Sequence, residues 1–318
     1  MASVPGINTS SSVAFYTNCS SSSTFLLSCV HPAYIAAAVI ATLSCLLGIP
    51  TNLLIIVKLS SRLRGTSMTK RLFFNLALSD LLSLFCVLVA GVIFATGPHL
   101  PHKLCQFFFY VFLFCVTSSS NILLLISIQR YYKILHHSKW GKLTRTWQRV
   151  LLSSVWMLGA LLSLPPALLL NEKNKGDMPS NSSCRNKEIH PTAELVYIAI
   201  LMSGQLVLLF FYIKLVRGVK NIKMSDKLKQ KINRLFSRIL AVSLVDFLPL
   251  IARLVAVAAH ITHLEMLYDI NKYLTCLECI YFLNHCMNPL LFFFASRHQL
   301  GNREKKRKLF LMALNESS

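Results

Sequence analysis

Apolar residues gather along this chain into seven long stretches, at about 34–58, 72–96, 104–128, 147–170, 193–216, 235–260 and 270–295. Charged and turn-forming segments separate them. Each is near or above the roughly 20 residues that an α-helix needs to cross a hydrocarbon core about 30 Å thick. Lipid offers the backbone no hydrogen-bonding partner, so each stretch must satisfy its own N–H and C=O groups, and a helix does so. The pattern therefore predicts an all-α membrane protein, a bundle of seven transmembrane helices. Residues 1–33 form an arm ahead of the bundle, residues 34–295 the bundle, and residues 296–318 a tail. An odd number of crossings puts the two ends on opposite sides of the membrane, a layout suited to carrying a message across it.

Composition agrees with this pattern. The 318 residues are 54% hydrophobic and only 14% charged, against about 25% charged in a soluble domain. A net charge of +21 would suit a nucleic-acid partner, but its distribution argues against one. Most Lys and Arg fall in alternate connections: Lys58 to Arg71, Arg130 to Arg149, Lys214 to Arg238, and the tail from Arg297 to Lys308. Positive charge collects on the cytoplasmic side of a membrane protein. The chain has no Lys or Arg ahead of Lys58, so the N-terminus is expected outside and the C-terminus in the cytoplasm. Glycosylation sequons at Asn8, Asn18 and Asn181 all fall outside in this orientation. No cleavable signal peptide is expected, because residues 1–30 lack a basic start and a clean apolar run.

Ten cysteines add one constraint. Cys105, at the outer start of the third span, and Cys184, in the outer loop after the fourth, both face an oxidising compartment, so a disulfide between them is expected. Cys45, Cys86, Cys115 and Cys286 lie inside the spans and read as small buried hydrophobes. Cys19, Cys29 and Cys276 leave a second bridge open.

Polar residues at membrane depth need a reason, since an ionisable group there costs roughly 2.5–3.5 kcal/mol. Asp80 is the clearest case. Asn52, Ser119, Asn284 and Asn288 lie at similar expected depth. Two readings stand for this set: a hydrated site for a small cation such as sodium, which hard oxygen ligands suit, and a hydrogen-bonded knot that joins helices. Pro249 and Pro289 interrupt the sixth and seventh spans and allow them to bend. Six histidines, His31, His99, His102, His190, His260 and His263, fall at or near the outer face. Scattered surface histidines are the ordinary case there.

The chain resembles the rhodopsin-like G-protein-coupled receptors from about residue 33 to 300. The resemblance rests on Gly48-Ile49-Pro50-Thr51-Asn52, Leu76-Ala77-Leu78-Ser79-Asp80, Cys105 followed by Arg130, then Trp156, Cys184, Tyr212, Pro249 and Asn288-Pro289 in order. It implies that Arg130 meets a heterotrimeric G protein in the active state, with Gln129 and Tyr131 beside it and Tyr212 reaching toward it. It implies that Asp80, Ser119, Asn284 and Asn288 line a sodium site, with no other cofactor. Phe247, Pro249, Pro289 and Phe292 would form the activation hinge. Residues 296–312 would lie along the inner leaflet of the plasma membrane as a short amphipathic eighth helix, and arrestin would be a further inner partner.

The chain departs from the family pattern in places. Gln129 stands where the family has an acidic residue, which removes an ion pair to Arg130. A neutral Gln129 can still accept a charge-assisted bond from Arg130, worth about 1.5–3 kcal/mol, and the lost ion pair predicts a looser resting state with raised basal signalling. The family's sixth-helix motif reads Ser243 to Pro249 here and includes Asp246, a second intramembrane carboxylate. Candidate ligand contacts are Phe109, Phe112, Arg185, Arg253, Lys272 and Glu278. Arg253 and Lys272 suit an anionic ligand, so a nucleotide, carboxylate or lipid mediator is favoured, with a peptide or chemokine as the alternative. Phe112 stands at the amine-anchoring position and argues against an aminergic ligand. No nucleophile–base pair, phosphate loop or metalloprotease motif suggests an enzyme. A transporter is disfavoured by the lack of repeats or broken helices beyond single prolines. A non-signalling scavenger is a further alternative, raised by Gln129 and Phe292.

Overall fold

The computed structural model describes residues 32–60, 68–96, 101–136, 140, 144–172, 187–221, 244, 247–258 and 280–289. Within them, five helices are long and apolar enough to cross a membrane. They are α1 (Pro32–Ser60), α2 (Met68–Thr96), α3 (His102–Leu135), α4 (Arg145–Leu168) and α5 (Pro191–Asn221). A shorter apolar helix, α6 (Phe247–Ala258), and the helical residues 280–289, here α7, fall inside the sixth and seventh expected spans. The expected eighth helix lies outside the described residues.

Helices outrun the apolar stretches that announced them. The third stretch was expected to end near 128, yet α3 continues to Leu135. Hydropathy marks the length that faces lipid, whereas Gln129 and Arg130 are buried by neighbouring helices. The start of α4 is set by Thr144, whose hydroxyl accepts from the Trp147 backbone N–H, the usual N-cap arrangement. Between α4 and α5 a short antiparallel pair adds to the all-α expectation: β1 (Leu170–Glu172) runs against β2 (Lys187–Ile189), with Leu170 opposite Ile189. It joins the two ends of the loop that carries Cys184, itself outside the described residues.

The bundle has its polarity reversed relative to a soluble protein. Leu43, Leu46, Leu47, Leu54 and Val57 of α1 and Met157, Leu161 and Leu168 of α4 are exposed, while Ser44, Asn52, Ser79, Asp80, Ser83, Thr117 and Ser119 are buried. Lipid is as apolar as leucine, so burying leucine contributes little. Close packing of small residues and hydrogen bonds between helices hold the bundle instead. α3 is its hub, packed against α2, α4 and α5. One apolar cluster joins Ile55 and Leu59 of α1, Leu72 and Leu76 of α2, Ile122 and Ile126 of α3, and Val155 of α4. A second sets Leu208, Tyr212, Leu215 and Val219 of α5 against Leu124, Tyr131 and Leu135 of α3.

Glycines permit close approaches between helices: a Cβ at Gly218 would come within 2.5 Å of Leu135 Cδ1. A Cβ at Gly48 would come within 2.6 Å of Leu84 Cδ1 and 3.0 Å of Cys286 Sγ, and one at Gly159 within 2.4 Å of Ser118 Oγ. Gly91 has nothing within 4 Å of that position. Gly159→Val should therefore separate α4 from α3 and cost about 1–3 kcal/mol, read as a lower melting temperature of the purified protein. Gly91→Ala should melt like the wild type. Equal melting of both variants would show that the α3–α4 approach is not tight.

Candidate functional site

At mid-bundle, Asp80 of α2 is fully buried and surrounded by donors from two other helices. Ser119 of α3 donates to its Oδ1 at 2.9 Å, and Asn288 Nδ2 of α7 donates to its Oδ2 at 2.9 Å. His285 Nδ1, also from α7, lies 2.8 Å from Oδ1 and donates when the carboxylate is ionised. The other ring nitrogen, Nε2, is 3.2 Å from the hydroxyl of Ser83 on α2. One carboxylate thus ties α2 to α3 and α7.

α1 joins the same knot through a consequence of proline. Residue 289 would ordinarily donate its N–H to the carbonyl of His285, four residues earlier, but Pro289 has none. That carbonyl accepts from Asn52 Nδ2 of α1 at 2.9 Å, while the second hydrogen of the amide goes to Gly48 O at 2.9 Å. The Cys286 thiol adds a bond to Ser44 O at 3.0 Å. Asn52 Oδ1 and Asn288 Oδ1 are buried without a hydrogen-bond partner among the described residues. Acceptors of this kind are met by ordered water.

At the far end of α3, Arg130 is buried, and its guanidinium lies over the Phe73 ring of α2 at 5.8 Å. Among the described residues no carboxylate pairs with it. It is near enough to the buried Tyr212 of α5 for the two to interact electrostatically. The bond that Gln129 could accept from Arg130 is not formed: Gln129 is buried and its Oε1 lacks a partner among the described residues. The Arg130 guanidinium is turned onto the Phe73 ring instead. Tyr131 stacks edge-on against Tyr132 at 5.2 Å and Phe211 at 5.4 Å.

Toward the Cys105 end, Arg253 of α6 forms an ion pair with Glu194 in the first turn of α5. Phe112 meets Phe282 of α7 edge-on at 5.9 Å, and Phe109 is half-buried. Thr117 of α3 bonds the hydroxyls of Tyr197 (α5) at 2.8 Å and Ser163 (α4) at 3.1 Å. Cys105 is buried and disulfide-bonded, and its partner is not among the described residues. Arg185, Lys272, Glu278, Cys184, Asp246, Phe292, Asn8, Asn18 and Asn181 lie outside the described residues. Of the hinge residues that are described, Phe247 is half-buried, while Pro249 and Pro289 are buried.

The structure therefore brings Asp80, Ser119 and Asn288 together as the sequence suggested, with Asn284 buried on the same helix as Asn288. It adds His285, Glu194 and the Thr117–Tyr197–Ser163 link, which the sequence reading passed over. A signal for His285 existed. It is an ionisable residue inside an apolar span, three residues before Asn288, and a spacing of three places two side chains on one helix face. The attention given to outer histidines hid it. Glu194 opens a span, where an acidic residue reads as ordinary surface.

Known proteins bear on this arrangement. Residues 51–292 match the family described as "7 transmembrane receptor (rhodopsin family)". The chain is 27% identical over 308 residues to a C5a anaphylatoxin chemotactic receptor 1 from Oncorhynchus mykiss, covering 90% of this chain and 85% of that one. It is 27% identical over 290 residues to the C-X-C chemokine receptor type 2 of Mus musculus, covering 87% and 78%. Apelin receptor B of Danio rerio is 26% identical over 249 residues, covering 69% and 68%.

The donor count around Asp80 sets a ranking. Asp80→Ala strands three donors, and breaking a buried pair costs about 3–5 kcal/mol. Ser119→Ala removes one bond of about 0.5–1.5 kcal/mol. Melting temperatures of the purified variants should fall in that order, and comparable losses would show that Asp80 is not the centre of the knot.

Proposed function

The chain belongs to the rhodopsin family of seven-transmembrane receptors, and on that premise we propose that it binds an extracellular peptide near the Cys105 end and signals through Arg130 to a heterotrimeric G protein. It is a multi-pass plasma membrane receptor, not an enzyme. The charge distribution along the sequence supports an extracellular N-terminus and a cytoplasmic C-terminus, which puts the Arg130 end of α3 inside. The same inner face would serve arrestin.

The observation that carries the ligand class is the set of relatives that span most of the chain: receptors named for apelin, a C-X-C chemokine and the C5a anaphylatoxin, all extracellular polypeptides. The ion pair at the outer end supports the same choice. The sequence offered Arg253 as a cation for a nucleotide, carboxylate or lipid mediator. Its charge is already balanced by Glu194, so an anionic ligand would have to displace that carboxylate. The anionic class ranks second for this reason.

Activation is a shift between two arrangements of the bundle, favoured by a ligand that binds one better than the other. In the arrangement described, Arg130 is buried between α2 and α5. A G protein requires it exposed, through an outward movement of neighbouring helices. The neutral residue at 129 supports raised basal activity.

A panel of basic peptides, chemokine-type proteins, nucleotides and lipid mediators, read as nucleotide exchange on purified G proteins, should give its response among the polypeptides. Arg130→Ala should abolish exchange while leaving ligand binding within a few-fold. Binding without exchange in the wild type on every G protein would make the protein a scavenger. Exchange driven by a nucleotide or lipid alone would reverse the ligand assignment. Gln129→Asp, at equal surface expression, should lower ligand-free exchange, and unchanged exchange would remove residue 129 from the basal-activity account.

A further inference from the structure

The resemblance cast Asp80, Ser119, Asn284 and Asn288 as the lining of a sodium site. A sodium ion beside Asp80 needs oxygen lone pairs directed at it, as hard cations take oxygen ligands. What faces the carboxylate in this chain is a set of hydrogen-bond donors: the Ser119 hydroxyl at 2.9 Å, Asn288 Nδ2 at 2.9 Å and His285 Nδ1 at 2.8 Å. An ionised carboxylate offers about four acceptor positions, and three are taken here. The Asn288 amide is oriented with its NH2 toward the charge, and its own oxygen would be repelled from that place.

The ring of His285 is fixed on several sides. Nε2 meets Ser83 at 3.2 Å, Tyr281 packs against the ring at 5.4 Å, and the residue is only 1% exposed. Its backbone is held too, since its carbonyl accepts from Asn52 at 2.9 Å. Both ring states meet this geometry. A neutral ring with its hydrogen on Nδ1 accepts from Ser83, and a charged ring donates to both neighbours. In either state an N–H of His285 occupies one acceptor position of Oδ1.

We infer that His285 stands in the place of the cation, so that the buried carboxylate is answered by a side chain of the receptor's own α7 and the protein does not respond to sodium. The link between α2 and α7 is then covalently part of the chain rather than exchangeable with external salt. The inference depends on neither the ligand class nor G-protein coupling.

The test needs no ligand. Full-length receptor in lipid nanodiscs is melted in sodium chloride and in equal N-methyl-D-glucamine chloride. Wild type should melt at the same temperature in both salts. His285→Ser, which replaces the ring with a hydroxyl, should melt lower and gain a sodium-dependent rise that a second change, Asp80→Asn, removes. A sodium-dependent rise in the wild type that Asp80→Asn abolishes overturns the inference. So does a folded His285→Ser protein that ignores sodium. If His285→Ser does not fold, His285→Asn, which keeps a shorter side chain at the same place, is read in the same way.

Discussion

A carboxylate at membrane depth has to be answered by charge or by hydrogen-bond donors, and the demand made by Asp80 organises the middle of this bundle. Three donors on two helices converge on it, and a fourth helix joins through Asn52 and the carbonyl that Pro289 leaves unbonded. An unanswered charge here would cost several kcal/mol. The positions of α2, α3 and α7 are therefore coupled: none can shift at this depth without breaking a bond to the same residue. Hydrophobic burial has little to contribute between helices that are equally content in lipid, so polar contacts and close approaches at Gly48 and Gly159 decide how the helices fit.

The same logic extends along α3. Near its middle it bonds α4 and α5 through Thr117 and Asp80 through Ser119, and its C-terminal end presents Gln129, Arg130 and Tyr131. Ser119 and Arg130 are eleven positions apart, about 16 Å along a helix axis at 1.5 Å per residue. A rod that carries all three contacts is the natural path between an outer ligand and an inner partner. A path alone is not coupling, which needs an element with two arrangements that both sites bias.

Much of this was legible in the sequence, and the exceptions have physical causes. Long apolar stretches can be little else than spanning helices, so their number and places were readable; their ends were not, because helices such as α3 continue where neighbours rather than lipid bury them. Asp80, Ser119 and Asn288 stood out as polar residues out of place. His285 did not, although its situation is the same, because a histidine carries no fixed charge and reads as ordinary among ten. The orientation of Arg130 was not readable either, because it is set by the Phe73 ring on another helix. Arg253 read as an open cation because its partner, Glu194, lies fifty-nine positions away on another helix. A pairing of that kind is set by the fold and leaves no local trace.

Gln129 is where energetics and signalling meet. Its buried Oε1 has no partner among the described residues, and an orphaned acceptor costs about 1–3 kcal/mol. An arrangement of the bundle that lets water or a donor reach it recovers that amount. A shift of 1.4 kcal/mol changes a two-state ratio about tenfold. Arg130, meanwhile, makes a cation–π contact with Phe73, worth about 0.5–2 kcal/mol, and has no ion pair among the described residues. Among the described residues, the middle of the bundle is thus tied by three bonds to Asp80, and the Arg130 end by its contact with Phe73.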